Sequence, residues 1–252
     1  TIDARDFKTM RDKMPFLREV DLKNVTIAKY IGTEGTKDGN LNTYDENTIP
    51  SNAFNSWNTS KYSSINKLVF PLTAKTIDSN AFISCDELKN VDIPSPIENV
   101  NNNAFRHCTS LTALNISSSV KYFDGVPFDS QYLCFESINV DKDNANYSST
   151  DGILFDKSQK TIMLYPCQKL GNIYQIPPTV KFIKDGVFSN NKFLKTILIP
   201  PSVETITNYA FINCDAIPVV DVNSTSFYSS DSIIFNKSQT KTVYCSQLEK
   251  GK

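Results

Sequence analysis

The hydrophobic positions of this chain recur in a fixed frame. Phe82, Phe105 and Phe128 are evenly spaced, and Phe211 follows Phe188 at the same interval. Eleven positions before each anchor comes Pro71, Pro94, Pro177 or Pro200, with Ser117 in the remaining copy. Eight before it stands Ala74, Ile97, Val120, Val180 or Val203, and five before it Ile77, Val100, Phe123, Ile183 or Ile206. Ahead of each proline runs Leu-x-x-Val-x-Ile, clear in Leu88 to Ile93, Leu111 to Ile116 and Leu194 to Ile199, looser in Leu17 to Leu22 and Ile65 to Phe70. Its last two apolar positions alternate with outward ones, as a half-buried strand requires. One such strand cannot bury its apolar face alone, whereas stacked copies can, with parallel strands about 4.8 Å apart. The pattern predicts a β-rich repeat solenoid of coils of about 23 residues.

Two longer coils match each other: Tyr147 to Gln159 returns as Tyr228 to Gln239, with Asp231 answering Asp151. Each reads as a hairpin turned by Asp156-Lys157-Ser158-Gln159 or Asn236-Lys237-Ser238-Gln239. At the other end, Phe7, Met10 and Met14 lie at helical spacing behind Asp3, a residue suited to an N-cap, so a short capping helix is expected over Ile2 to Met14. Two insertions, Ile31 to Asn47 and Asn55 to Ser64, read as loops by composition. The expected organisation is a cap and first strand over 1–30 and a solenoid over 31–252, continuous with it as one domain. The longer hairpin coils fall near 141–166 and 221–245. The last coil stops after Tyr244-Cys245-Ser246 and reads as incomplete, so fraying from that end is expected.

Composition narrows the function classes. Lys plus Arg (26) nearly cancels Asp plus Glu (27), which argues against a nucleic-acid binder with its basic stripe. No apolar run reaches the length of a membrane-spanning helix. The six Cys residues include no Cys-x-x-Cys pair and leave the redox compartment open. The chain begins at Thr1 without Met or an apolar leader, so it reads as a mature or trimmed fragment whose export signal or anchor lies outside it.

The combined motif Ile-Pro-x-x-Val-x-x-Ile-x-x-x-Ala-Phe-x-x-Cys-x-x-Leu, followed by Asp151-Gly152-Ile153-Leu154-Phe155-Asp156-Lys157, resembles the BspA-type leucine-rich repeats of bacterial surface proteins. The likeness runs from about Leu17 onward. The Thr1 to Tyr30 stretch is also similar to the segment that precedes such repeats in secreted proteins of gut anaerobes. The resemblance implies export, display at the cell surface and binding of host or partner macromolecules. It implies no enzymatic activity, no cofactor and no metal, and it carries no fixed ligand residues. Departures are Ser117 for Pro, and Pro127-Phe128 and Val187-Phe188 for Ala-Phe.

Candidate chemistry is sparse. The one histidine, His107, adjoins Cys108, but adjacent residues of an extended segment point opposite ways. Cys108 also shares its repeat position with Cys85 and Cys214, where a small buried hydrophobe is expected. Cys85 and Cys108 should lie about 5 Å apart, yet parallel ladder side chains disfavour the disulfide dihedral, so free thiols are expected. Asp141 to Asn146 opens like a calcium loop but lacks its Gly and its terminal Glu. Six Asn-x-Ser/Thr sequons (Asn24, Asn58, Asn115, Asn146, Asn223, Asn236) reflect the Asn- and Ser-rich composition.

The remaining candidates are outward strand positions: Glu19, Asp21, Lys67, Val69, Asn90, Asp92, Ala113, Asn115, Ser137, Asn139, Thr196, Leu198 and Asp221. Repeat proteins use such rows for recognition. Trp57 and Tyr62, on the second insertion, form a second candidate surface. The expected function is adhesion to a protein or glycan ligand on a host or neighbouring cell. The alternative is a structural or nutrient-capture role in the bacterial envelope.

Overall fold

The computed structural model describes residues 1–55, 63–123, 135–231, 233–238 and 242–245. The chain forms two compact units, Thr1–Cys134 with Val140–Asn146, and Phe135–Asn139 with Tyr147–Lys252. In both, the repeat forms stacked coils, as the recurring frame requires.

The N-terminal unit opens with helix α1 (Ala4–Lys13). Asp3 caps it by accepting from Arg5 N, and Asp6 accepts in return from Asp3 N (2.9 Å), a capping box that satisfies two otherwise orphaned donors. Ala4 and Phe7 are buried, whereas Met14 lies past the helix end and is exposed. Arg11, four residues after Phe7, takes the inner face instead. Its guanidinium donates to Thr36 O (2.9 Å) and Asn52 O (3.0 Å), tying the cap to the first coil.

The strands of this unit are β1 (Glu19–Asp21), β2 (Tyr30–Gly32), β3 (Asn42–Tyr44), β4 (Thr48–Ile49), β5 (Lys67–Val69), β6 (Thr76–Ile77), β7 (Asn90–Ile93), β8 (Asn99–Val100), β9 (Ala113–Ile116) and β10 (Tyr122–Phe123). The Leu-x-x-Val-x-Ile segments pair in parallel, β1 with β5 and β7 with β9. The second apolar pair of each coil forms another parallel ladder, β4-β6-β8-β10. Between them a turn starts at the proline, whose carbonyl accepts from the residue three on: Ala74 N to Pro71 O (3.1 Å) and Ile97 N to Pro94 O (3.0 Å). Ser117 serves equally, accepting from Val120 N (3.4 Å), because position i of the turn needs only its carbonyl.

The anchoring phenylalanines stack face to face. Phe54 and Phe82 lie 5.6 Å apart at 17°, and Phe82 and Phe105 lie 5.3 Å apart at 5°. The backbone enters and leaves each ring position through left-handed residues, Asn80 (φ 60°) and Ser84 (58°), then Asn103 (57°) and His107 (59°). Asparagine tolerates this conformation better than most residues, which accounts for the Asn-Ala-Phe triplets.

One expected loop is a hairpin. Ile31 to Asn47 contains β2 paired antiparallel with β3, and Tyr30 stacks on Tyr44 (6.0 Å) with the Arg5 guanidinium 4.8 Å above the Tyr30 ring. Gly32 leaves room for the Tyr30 hydroxyl, since a Cβ there would stand 2.2 Å from it and push that end of the ring aside. Composition missed this pairing because it is held by two rings, not by an alternating apolar run.

In the C-terminal unit the strands are β11 (Ser137–Val140, the last residue assigned to the other unit), β12 (Tyr147–Thr150), β13 (Ile153–Asp156), β14 (Thr161–Leu164), β15 (Ile173–Gln175), β16 (Phe182–Ile183), β17 (Thr196–Ile199), β18 (Thr205–Ile206), β19 (Ile217–Val220), β20 (Phe227–Ser230), β21 (Ile233–Asn236) and β22 (Thr242–Cys245). β15-β17-β19 is parallel, while β14, β16 and β18 continue in parallel from the antiparallel pairs β12-β13-β14. Each long coil is thus a three-stranded meander with two turns, one more than the sequence suggested. The extra turn is at Asp151 (φ 52°) and Gly152 (φ 75°), a two-residue hairpin connection. β12 and β20 also show that Tyr147 corresponds to buried Phe227, not to Tyr228.

Phe188 stacks on Phe211 (5.2 Å, 8°), and Tyr165, one repeat length before Phe188, takes the anchor position at 5.4 Å. Tyr174 leans on Tyr165 at 4.8 Å. The Tyr174 hydroxyl is buried with no hydrogen-bond partner among the described residues, which is costly. Tyr174→Phe should therefore raise the unfolding free energy by about 1 kcal/mol, measurable by urea denaturation.

Burial first, then the Asp151 carboxylate, pushes the Tyr165 phenol up to about 12. A phenol raised on folding supports stability fully below its unfolded value of about 10 and loses that contribution as pH rises toward its folded value. Between these limits the denaturation midpoint should fall with rising pH, and it should fall less in Tyr165→Phe.

Candidate functional site

The outward strand rows differ in chemistry between the units. In the N-terminal unit they are polar and laterally paired. Glu19 and Lys67 face each other across β1 and β5 and form an exposed ion pair at 3.2 Å, worth little on its own. Asn90 and Asp92 point out from β7, opposite Ala113 and Asn115 of β9, and Asn115 Nδ2 donates to Asp92 Oδ1 at 2.6 Å. Asp21 accepts from Lys23 N (2.9 Å), so it shapes the turn after its strand. Val69, its partner in register on β5, is half-buried.

In the C-terminal unit Ser137 is half-buried beside Gly152, and Asn139 is exposed. Thr196 and Leu198 face outward from β17, both half-buried. Asp221 is not a strand position. β19 ends at Val220, and Asp221 Oδ1 accepts from Asn223 N (2.8 Å) and Asn223 Nδ2 (3.1 Å) in the following turn. The outward residues of β19 are Ile217 and Val219, in register with Thr196 and Leu198. On the other side, Ile173 and Gln175 of β15 stand opposite the same two residues. Ile173 is 67% exposed, Ile217 40% and Val219 42%, while the alternating Ile197, Ile199 and Val220 are buried. Pro218 fits within β19 because parallel pairing to β17 takes only one side of the strand.

This apolar row escaped the Leu-x-x-Val-x-Ile frame because neither 170–176 nor 214–220 carries the full motif. Counting one repeat length back from Thr196 would have reached Ile173. Trp57 and Tyr62 lie outside the described residues.

The catalytic and metal candidates have structural roles. His107 occupies a buried turn with φ 59°, not an extended segment. Cys108 donates to Phe82 O (3.1 Å), and Cys85 to Phe54 O (3.7 Å). Burial first, and the neighbouring Cys85 second, push the Cys108 thiol well up, the reverse of what a nucleophile needs. Cys85, Cys108, Cys167 and Cys214 are buried thiols without a disulfide. In the calcium-like segment, Asp141 Oδ1 accepts from Asp143 N (2.9 Å). Asn144 is fully buried, donating to Ser117 O (2.8 Å) and Val120 O (3.0 Å) and accepting from Asn146 N (2.8 Å). Among the described residues no group of three or more His, Cys, Asp or Glu could hold a metal ion, and no helix is long and apolar enough to cross a membrane.

A leucine-rich repeat protein from Eubacterium ventriosum shares the fold at 26% identity and TM-score 0.56, over 69% of this chain and 50% of that one. The pneumococcal vaccine antigen PcpA is similar at 19% identity and TM-score 0.53, over 81% of this chain and 64% of its own. A leucine-rich cell surface protein from Faecalibacterium prausnitzii matches at 20% identity and TM-score 0.45, over 87% and 44%. The chain thus spans half of the first of these proteins and less than two thirds of the others. No curated protein matches it. The repeat described as the BspA type leucine-rich repeat region matches residues 47–165 and 160–250, in 6 copies, and the chain belongs to that family.

Proposed function

We propose that this chain is a non-enzymatic binding module displayed at a bacterial cell surface, adhering to host or neighbouring-cell macromolecules through its outward strand rows. The observation that carries the reading is the exposed apolar row on β15, β17 and β19. A strand face that buries every alternate residue and leaves Ile173, Ile217 and Val219 in water bears a cost in solubility that a binding surface explains. Family membership supports the same reading, since repeats of this kind present extended faces for recognition. The polar rows around Asp92 in the N-terminal unit and the segment with Trp57 and Tyr62 are further candidate contacts.

The test is a binding screen of the intact chain against immobilised matrix and plasma proteins beside a glycan array. Saturable binding to a protein, weakened at least tenfold by Val219→Glu or by Asp92→Lys, is the expected result. A glycan signal without any protein signal would replace adhesion by nutrient capture or envelope structure. Silence on both would overturn the binding role.

A further inference from the structure

Resting on that reading, we propose that the outward face of β15, β17 and β19 seats one short amphipathic helix of a partner protein, through about three of its apolar side chains. Two rows make the face: Ile173, Thr196 and Ile217, then Gln175, Leu198 and Val219. Three residues ahead of Ile173 and Thr196 in sequence, Leu170 and Phe193 are exposed as well.

The chemistry of the face selects the class of ligand. No ionisable residue stands in either row, and no Arg follows Arg106 in the sequence, so the guanidinium forks that recognise phosphates and carboxylates are missing. The strand rows hold no aromatic ring on which a sugar or a base could stack. Two lysines of this unit are already paired, Lys169 with Asp151 (2.9 Å) and Lys192 with Asp215 (3.2 Å), and Lys195, exposed just before Thr196, places a cation at the edge of the face and not within its rows. What remains is an uncharged aliphatic surface, complementary to another aliphatic surface.

Size then selects the form. Three strands place β15 and β19 about 10 Å apart, and residues i and i+2 lie about 7 Å apart along each strand. That is a few hundred Å², against roughly 800 Å² per partner in a stable association of folded proteins. A second copy of the chain would not be held by this face alone. A helix, about 10 Å across, covers it with side chains at i, i+3 or i+4, and i+7.

The test displays random 16-residue peptides to the intact protein and measures the enriched peptides by fluorescence anisotropy. We expect peptides with Leu, Ile or Phe at helical spacing, which gain helical circular dichroism on binding. Ile173→Glu and Val219→Glu should each weaken them at least tenfold, with unchanged unfolding midpoints, while Lys29→Glu, at an exposed position outside the strand rows, leaves them unaffected. Helical peptides that bind both Glu variants as well as the parent would overturn the assignment. So would a parent dimer in sedimentation velocity that Val219→Glu abolishes, because a second copy would then be the occupant. If matrix-protein binding falls in Val219→Glu but no helical peptide is enriched, the helix is wrong and the binding module stands. If matrix-protein binding itself is absent, the broader reading fails.

Discussion

Phe82→Ala is expected to destabilise the N-terminal unit by about 3–5 kcal/mol. The ring is fully buried and touches three others: Phe54 and Phe105 stacked on its two faces, and Phe70 edge-on at 5.9 Å. Truncation removes the transfer free energy of the ring, opens a cavity between two coils, and cancels two stacked pairs worth about 0.5–1.5 kcal/mol each. The coils cannot slide together to close the gap, because backbone bonds such as Phe82 N to Ala104 O (2.9 Å) hold their spacing. Urea denaturation should show a lower midpoint with the slope unchanged. Phe16→Ala, at an exposed ring, should change the midpoint by no more than about 0.5 kcal/mol equivalent. Equal losses at the two sites would remove the stacked rings from their place as the main support of the coils.

Asn191→Ala should cost about 3 kcal/mol in the C-terminal unit, by a different route. Asn191 is fully buried at the repeat position that Cys85, Cys108 and Cys214 fill elsewhere. Its Nδ2 donates to Pro166 O (3.1 Å), and its Oδ1 accepts from Phe193 N (3.0 Å) and Leu194 N (2.8 Å). Alanine orphans all three backbone groups at once, each unsatisfied group costing about 1–3 kcal/mol before water enters. Asn191→Cys should lose about 1 kcal/mol less, since a thiol at this position can donate to a carbonyl as Cys108 does to Phe82 O. Thermal unfolding that ranks the two variants equally would show that the amide fills space and little else.

The repeat itself was legible because its signal is additive. Phe, Pro and the paired apolar positions each recur at one interval, and register follows from counting: Asn90 opposite Ala113, Thr76 opposite Asn99. The burial of Cys85, Cys108 and Cys214 was legible too, from one shared position. Features that do not recur were not. The β2-β3 hairpin rests on Tyr30, Tyr44 and Gly32, which no other coil repeats. Met14 fits the helical spacing, yet Arg11 reaches the backbone carbonyls that the helix end leaves within range. Asp221 reads as a strand position because β19 lacks the leading Leu that marks the frame, and the same gap hid Ile217 and Val219. The Asp141 to Asn146 segment fails as a calcium loop by sequence, but the role of Asn144 does not show there: its buried amide is engaged with backbone groups on both its nitrogen and its oxygen. The exposed apolar row belongs to this second group: it is visible only once the register of β15 on β17 is known.

The Phe82 and Phe105 rings lie within 5° of parallel at 5.3 Å, so in this region one coil maps onto the next by almost pure translation. Length then behaves as a digital variable. Cutting out Asn90 to Thr112 would join Lys89 to Ala113, which already occupies the position of Asn90 in the neighbouring coil. Ring stack, turn and ladder would all find the partners they had before. A gene built this way can lengthen or shorten its display surface in whole steps of one coil, by unequal recombination between its own repeats, without passing through a misfolded intermediate.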